Sequence, residues 1–216
     1  MKANTLIAAG AACLMLGASS LAGAAERGWY LGLSGGETRS DLGGSDLDST
    51  WSSQGFTASS SVDSTDNGWK LYAGYNYSKY FAVEGGWVDL GKVSFNSTVS
   101  AAPAGYSAGT LNGDVKTKGG VFLDAVGKLP LQNNFSVFGK LGLYDIETEL
   151  NASGTSGTVN NSETRAGYKY GVGAGYDFAR NLGARLEWER FNKVGDKNKT
   201  GEADIDLLSV GLTYKF

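Results

Sequence analysis

The 216-residue chain has no histidine, one cysteine and two prolines. Beyond residue 21 it has no apolar run approaching the length of a membrane helix. Each scarcity excludes something. Without histidine the side chain that most often serves as a general base near neutral pH is missing. A serine nucleophile would need an unusual base, since its hydroxyl is weak unaided. Cys13 lies inside an apolar leader, so the mature chain is expected to hold no thiol and no disulfide. The formal net charge of −3 is too small to suggest a nucleic-acid partner. Low proline beside 33 Gly, 11 Tyr, 9 Phe and 5 Trp excludes collagen-like and disordered classes.

What is present begins with export. Met1-Lys2 gives a basic start, Leu6 to Leu21 is apolar or small, and Ala22-Gly23-Ala24 supplies a cleavage pattern. Residues 1–24 are therefore expected to be a signal peptide, cleaved near Ala24/Ala25, leaving one domain over residues 25–216. A lipoprotein cysteine would stand at the end of the apolar run, and Cys13 stands in its middle.

The mature chain alternates with period two. In Ile205–Phe216, Leu208, Val210, Leu212, Tyr214 and Phe216 share one face, and Leu207, Ser209, Gly211, Thr213 and Lys215 the other. This apolar, aromatic-tipped segment would be an exposed sheet edge in water, but in a barrel closed within lipid its apolar face has a solvent. Eight such segments occur, at about 28–36, 68–77, 81–93, 115–129, 135–149, 166–178, 182–191 and 205–216. Short links (78–80, 130–134, 179–181) alternate with long polar ones (37–67, 94–114, 151–165, 192–204). The pattern predicts an all-β fold, an eight-stranded antiparallel up-and-down transmembrane β-barrel with periplasmic termini and four extracellular loops. Loop 37–67 looks too poor in apolar residues to fold by itself, and its aspartates match no calcium-loop spacing.

Aromatic residues cluster at both segment ends. Trp29, Tyr75, Tyr77, Phe81, Phe135, Tyr176, Phe178, Tyr214 and Phe216 lie near the short links, and Trp69, Trp87, Tyr168, Tyr170, Trp188 and Phe191 near the long ones, as two membrane-interface girdles would. The opposite faces carry Lys70, Glu84, Asp124, Lys128, Lys140, Lys169, Asp177, Arg185, Glu187, Glu189 and Lys215, with glycine as their recurrent companion. Charges removed from water persist when paired. An ion-pair network across a narrow lumen is therefore expected, with Glu84, Lys140, Arg185 and Glu187 near its middle. A lipocalin-like secreted barrel would need the reverse pattern, apolar within and polar outside.

The runs YAGYNYSKYFAVEGGWVDLG (Tyr72–Gly91), FGKLGLY (Phe138–Tyr144), GVGAGYDFARNLGARLEWERF and DLLSVGLTYKF together resemble the eight-stranded transmembrane domain of the OmpA family. The resemblance implies a lumenal glutamate–arginine pair, for which Glu84 and Arg185 stand at the matching positions. A lumenal lysine of the family's fourth strand is replaced by Val126, with Lys128 two residues on. Ser209, Gly211, Tyr214 and Phe216 resemble the C-terminal signal read by the barrel assembly machinery. Full-length members continue into a periplasmic domain resembling peptidoglycan-binding modules, which this chain is expected to lack.

The expected role is a structural protein in the outer membrane of a Gram-negative bacterium, serving envelope integrity and surface exposure or adhesion, with the lumen plugged by ion pairs. It would contact outer-membrane lipid and lipopolysaccharide, and its loops could meet host or phage ligands. A small low-conductance porin is the alternative. An outer-membrane lipid-modifying enzyme is disfavoured, since small outer-membrane enzymes of that class depend on histidine and this chain has none. Glu187/Glu189 could do acid–base work, but they fall on the lumenal face. No catalytic residue, metal ligand or cofactor is expected.

Overall fold

The structure, a computed structural model, describes residues 27–101, 108–154, 157–196 and 201–216. The expected signal peptide and Cys13 lie outside the described residues. The strands are β1 (Gly28–Ser40), β2 (Thr57–Asp63), β3 (Thr65–Asn76), β4 (Phe81–Asp89), β5 (Lys92–Ala101), β6 (Gly109–Pro130), β7 (Phe135–Gly154), β8 (Gly157–Asp177), β9 (Leu182–Asp196) and β10 (Gly201–Lys215), with one helix, α1 (Gly44–Ser53).

Eight of these strands close into a ring in the order β1-β3-β4-β6-β7-β8-β9-β10. Every pairing is antiparallel, and β10 returns to β1 with Leu33 opposite Leu212 and Tyr30 opposite Lys215. The architecture is the eight-stranded up-and-down barrel that period-two alternation implies. Closure gives the terminal strand a partner, and Phe216 N–H completes the seam by donating to the Trp29 carbonyl at 3.0 Å. Both described ends of the chain lie at the end of the three short turns.

Alternation sorts the side chains. Leu33, Leu71, Leu141, Leu143, Val172, Leu186 and Val210 face outward and are exposed, as a lipid-contacting wall requires. Outside them, rings touch edge to face between Trp29 and Tyr75 at 5.2 Å, Tyr75 and Tyr77 at 4.9 Å, and Tyr214 and Phe216 at 5.0 Å. Phe135 meets Tyr176 at 4.6 Å, and toward the other end Tyr170 meets Trp188 at 6.0 Å. Trp69 and Trp87 are also exposed there. Phe191 departs from the girdle placement, because it shares the parity of Glu187 and Glu189 and is fully buried in the lumen. No helix among the described residues is long and apolar enough to cross a membrane; the crossing is made by strands.

The long links are corrected most. Strand pairing continues well into all four of them. β7 and β8 stay paired up to Gly154 opposite Gly157, and β9 and β10 up to Asp196 opposite Gly201. The second and third barrel strands bend sharply, the latter at Leu90–Gly91, where Gly91 takes a φ of +75°. Beyond the bends, β2 pairs with β5 and β5 with the upper half of β6. Segment 37–67, expected to be shapeless, holds α1 and β2 around a Trp51–Phe56 ring contact at 5.5 Å. These extensions carry Ser, Thr, Asn and Asp on both faces, so no apolar period announces the strands, although the backbone ladder forms all the same.

The helix covers β2, the terminal strand of the ladder. Gly44 packs so tightly that a Cβ there would stand 2.2 Å from the Ser60 carbonyl oxygen. A free strand end is an aggregation hazard, and covering it is one established remedy.

Candidate functional site

The lumen holds a continuous chain of alternating charge. Asp124 Oδ2 lies 3.0 Å from Lys169 Nζ, which donates to Glu189 Oε1 at 2.6 Å. Lys70 Nζ bridges Glu189 and Glu187, the latter at 2.6 Å. Glu187 meets Lys140 at 3.0 Å and Arg185 at 3.5 Å, and both cations reach Glu84, each at 2.6 Å. Tyr30 O–H donates to Glu84 Oε1 at 2.6 Å, closing the chain. Four cations thus balance four carboxylates, all buried, Arg185 the most exposed of them at 9 %. Inward alternation of β3, β4, β6, β7, β8 and β9 delivers these eight side chains, so six strands contribute to one cluster.

Two residues anticipated as members stand apart. Lys128 has moved toward the periplasmic end, where it donates to Asn76 Oδ1 at 2.6 Å and lies 4.7 Å from the Tyr30 ring centre. Its position on β6, below Asp124 and Val126, puts it out of reach of the central carboxylates. Asp177 pairs with Lys215 at 2.5 Å, half-exposed at the same mouth. Lys169 and Glu189 are central members.

Aromatic rings embed the charges. The Arg185 guanidinium lies 5.1–5.5 Å from the centres of Tyr30, Tyr72 and Phe138, and Lys169 lies 4.3 Å from Phe122 and 4.9 Å from Phe191. Ring faces attract cations, most strongly where water is excluded. The rings also account for glycines that seemed mere clearance for charged side chains. Tyr30 stands opposite Gly74, Tyr72 opposite Gly32, Tyr144 opposite Gly167 and Phe138 opposite Gly173. A Cβ at any of these four glycines would fall 2.2–2.4 Å from the facing ring. Each ring lies flat over a glycine on the neighbouring strand, a cross-strand pairing that rescues a weak strand position. Parity in β1 and β3 already sends Tyr30 and Tyr72 inward; a search for charges overlooks them.

Above the membrane the pairs are looser. Lys118 Nζ reaches Glu149 at 2.5 Å, and this hydrogen bond raises the lysine's pKa and lowers the carboxyl's. Arg190 holds Asp206 with two bonds of 2.7 Å, and Arg165 holds Glu202 at 3.0 Å. At the C-terminus Ser209 and Gly211 face the lumen, while Tyr214 and Phe216 face outward. No cluster of metal-ligating side chains occurs among the described residues.

Residues 24–216 match the family model described as the OmpA-like transmembrane domain. The chain belongs to that family. It is 28% identical to outer membrane protein A of Salmonella typhi over 148 residues, covering 67% of this chain and 39% of that protein. It is 26% identical to outer membrane protein A of Yersinia pseudotuberculosis over the same length, covering 38% of that protein. The chain therefore matches only about two fifths of the length of these relatives. Among solved structures, Neisserial surface protein A aligns over 87% of this chain and 97% of its own, with a TM-score of 0.50 and 14% identity. Ail, the attachment invasion locus protein of Yersinia pestis, aligns over 88% and 98%, with a TM-score of 0.47 and 16% identity. This OmpA-like barrel is an outer-membrane protein of a Gram-negative bacterium, and its outward apolar wall is the surface that meets lipid.

Proposed function

We propose that this OmpA-like barrel is a closed structural element of the outer membrane, non-conducting, which supports envelope integrity and presents its extracellular crown for contact or adhesion. The observation that carries the reading is the charge-balanced chain from Asp124 to Glu84, buried across the bore. Eight strands leave an interior that side chains can fill, and here long charged side chains fill it in register. A pore would need those charges hydrated along a wall, not bonded to each other across the middle. The crown continues the barrel ladder, and segments held by such a scaffold are where recognition usually resides.

Histidine is absent from the whole sequence, and each lumenal carboxylate is engaged by a cation, which leaves no evident base for chemistry. The C-terminal strand, with Tyr214 and Phe216 on its outer face, has the form read by the barrel assembly machinery. The test is single-channel recording of refolded protein in a planar bilayer, with folding verified by the mobility difference between unheated and boiled gel samples. Sustained silence of the folded protein is expected. Discrete openings of the folded wild type would refute closure and favour a small porin.

A further inference from the structure

The lumen is not polar along its full length. Going outward from the charged chain, four strands carry apolar residues at their inward positions. β4 goes from Glu84 to Val88, β7 from Lys140 through Tyr144 to Ile146, β9 from Glu189 to Phe191 and Val194, and β10 from Ser209 to Leu207 and Ile205. All these apolar side chains are buried, and Tyr144 packs on Phe191 at 5.6 Å. The threonines at this height have their hydroxyl protons engaged by backbone carbonyls. Thr38 donates to the Asp66 carbonyl at 3.0 Å, Thr117 to the Gly91 carbonyl at 2.9 Å and Thr148 to the Glu163 carbonyl at 3.2 Å. The space left at the outer end is a small cavity of about 30 Å³, lined by Leu90, Val194 and Ile205 and, on its polar part, by Ser40, Ser64 and Lys92, with room for about one water molecule.

We propose that the lumen carries two closures in series, ionic in the middle and apolar above, and that the apolar tier by itself keeps ions from passing when the ionic one is broken. This rests on the closed-barrel reading. An ion crossing the outer tier would lose most of its hydration shell among mainly apolar side chains, and apolar constrictions shut pores by dewetting for that reason. The tiers also differ in access. Below the charges the wall carries Lys128, Asn76 and the half-exposed Asp177–Lys215 pair, groups that water can follow. The more polar of the two ends of the lumen is thus the periplasmic one, although Ala82 and Val126 are also buried there.

The experiment compares three refolded proteins in planar bilayers: the Glu84→Ala/Lys140→Ala double variant, which removes one charge of each sign; an Ile146→Ala/Ile205→Ala/Leu207→Ala triple variant; and their combination. Both parent variants should stay as silent as wild type, and the combination should open, with current at least tenfold above the parents. Openings of the Glu84→Ala/Lys140→Ala variant by itself would overturn the second closure while leaving wild-type closure intact; openings of wild type would sink both. Should the combination fail to show heat-modifiable mobility, a Ser34→Cys variant decides in the native background. Because the expected mature chain has no other cysteine, a charged, membrane-impermeant maleimide reads access from each side of a vesicle separately. Modification at least tenfold faster from the periplasmic side is expected, and equal or faster modification from the extracellular side overturns the proposal.

Discussion

Glu84, held at short range by two cations and a tyrosine hydroxyl, offers the sharpest energetic test. It accepts from Arg185 at 2.6 Å and from Tyr30 at 2.6 Å, and Lys140 lies 2.6 Å away. Glu84→Ala removes one negative charge from a balanced cluster and strands two cations. Arg185 keeps only Glu187 at 3.5 Å, while Lys140 keeps Glu187 at 3.0 Å. Removing one partner of a buried pair costs about 3–5 kcal/mol, and with Lys140 still matched to Glu187 the lower half of that range is expected. Arg185→Ala should cost a similar ~3 kcal/mol, by leaving Glu84 with one cation and the Tyr30 hydroxyl. The double variant restores balance, so its cost should fall short of the sum by about 2 kcal/mol, within the usual range for directly bonded groups. The assay is reversible urea unfolding in lipid vesicles, followed by tryptophan fluorescence and gel mobility. If the two single costs add to within ~0.5 kcal/mol, the groups are independently solvated and the network description fails.

Four further outcomes follow from named contacts. Leu141→Arg puts a charge on the lipid face at one of the most exposed apolar positions, 70%, and should destabilise the barrel by about 2–4 kcal/mol in the same assay. Gly167→Val drives a side chain into the Tyr144 ring, since even a Cβ would stand 2.3 Å from its hydroxyl oxygen; a loss of at least ~2 kcal/mol is expected, and a neutral result would mean the ring does not lie over the glycine. Gly91→Ala forces a left-handed backbone on a residue with a side chain, at the bend between β4 and β5 where φ is +75°. It should cost about 1–3 kcal/mol, read as a lower unfolding midpoint. Lys118→Ala, by contrast, removes solvent-screened pairs with Glu147 and Glu149 and should leave the unfolding midpoint within error of the wild type.

The barrel itself was legible because lipid and a filled lumen impose opposite demands on alternate residues. In β10 the sequence LLSVGLTYKF contains both answers, Leu208, Val210 and Leu212 for lipid, Ser209, Gly211 and Thr213 for the bore. Short turns, girdle aromatics and the set of inward charges follow from the same period. Phe191 shows where inspection slipped: its parity with Glu187 and Glu189 assigns it to the lumen, and only its nearness to a segment end suggested the girdle.

Tertiary structure decided what depends on height and on neighbours across the bore. Which cation meets which carboxylate turns on the tilt and stagger of eight strands, so Lys128 reaches Asn76 rather than Glu84, and Lys169 joins Asp124 to Glu189 across β6, β8 and β9. The outer extensions were hidden because Ser, Thr and Asn on both faces leave no period to read, while the ladder costs little to extend once a barrel has fixed its register. The apolar upper tier was hidden for a related reason. Val88, Ile146, Val194 and the neighbouring Ile205 and Leu207 lie on four different strands, and only closure of the ring brings them together. Local alternation determined which way each side chain points; the stagger of the closed sheet determined what it finds there.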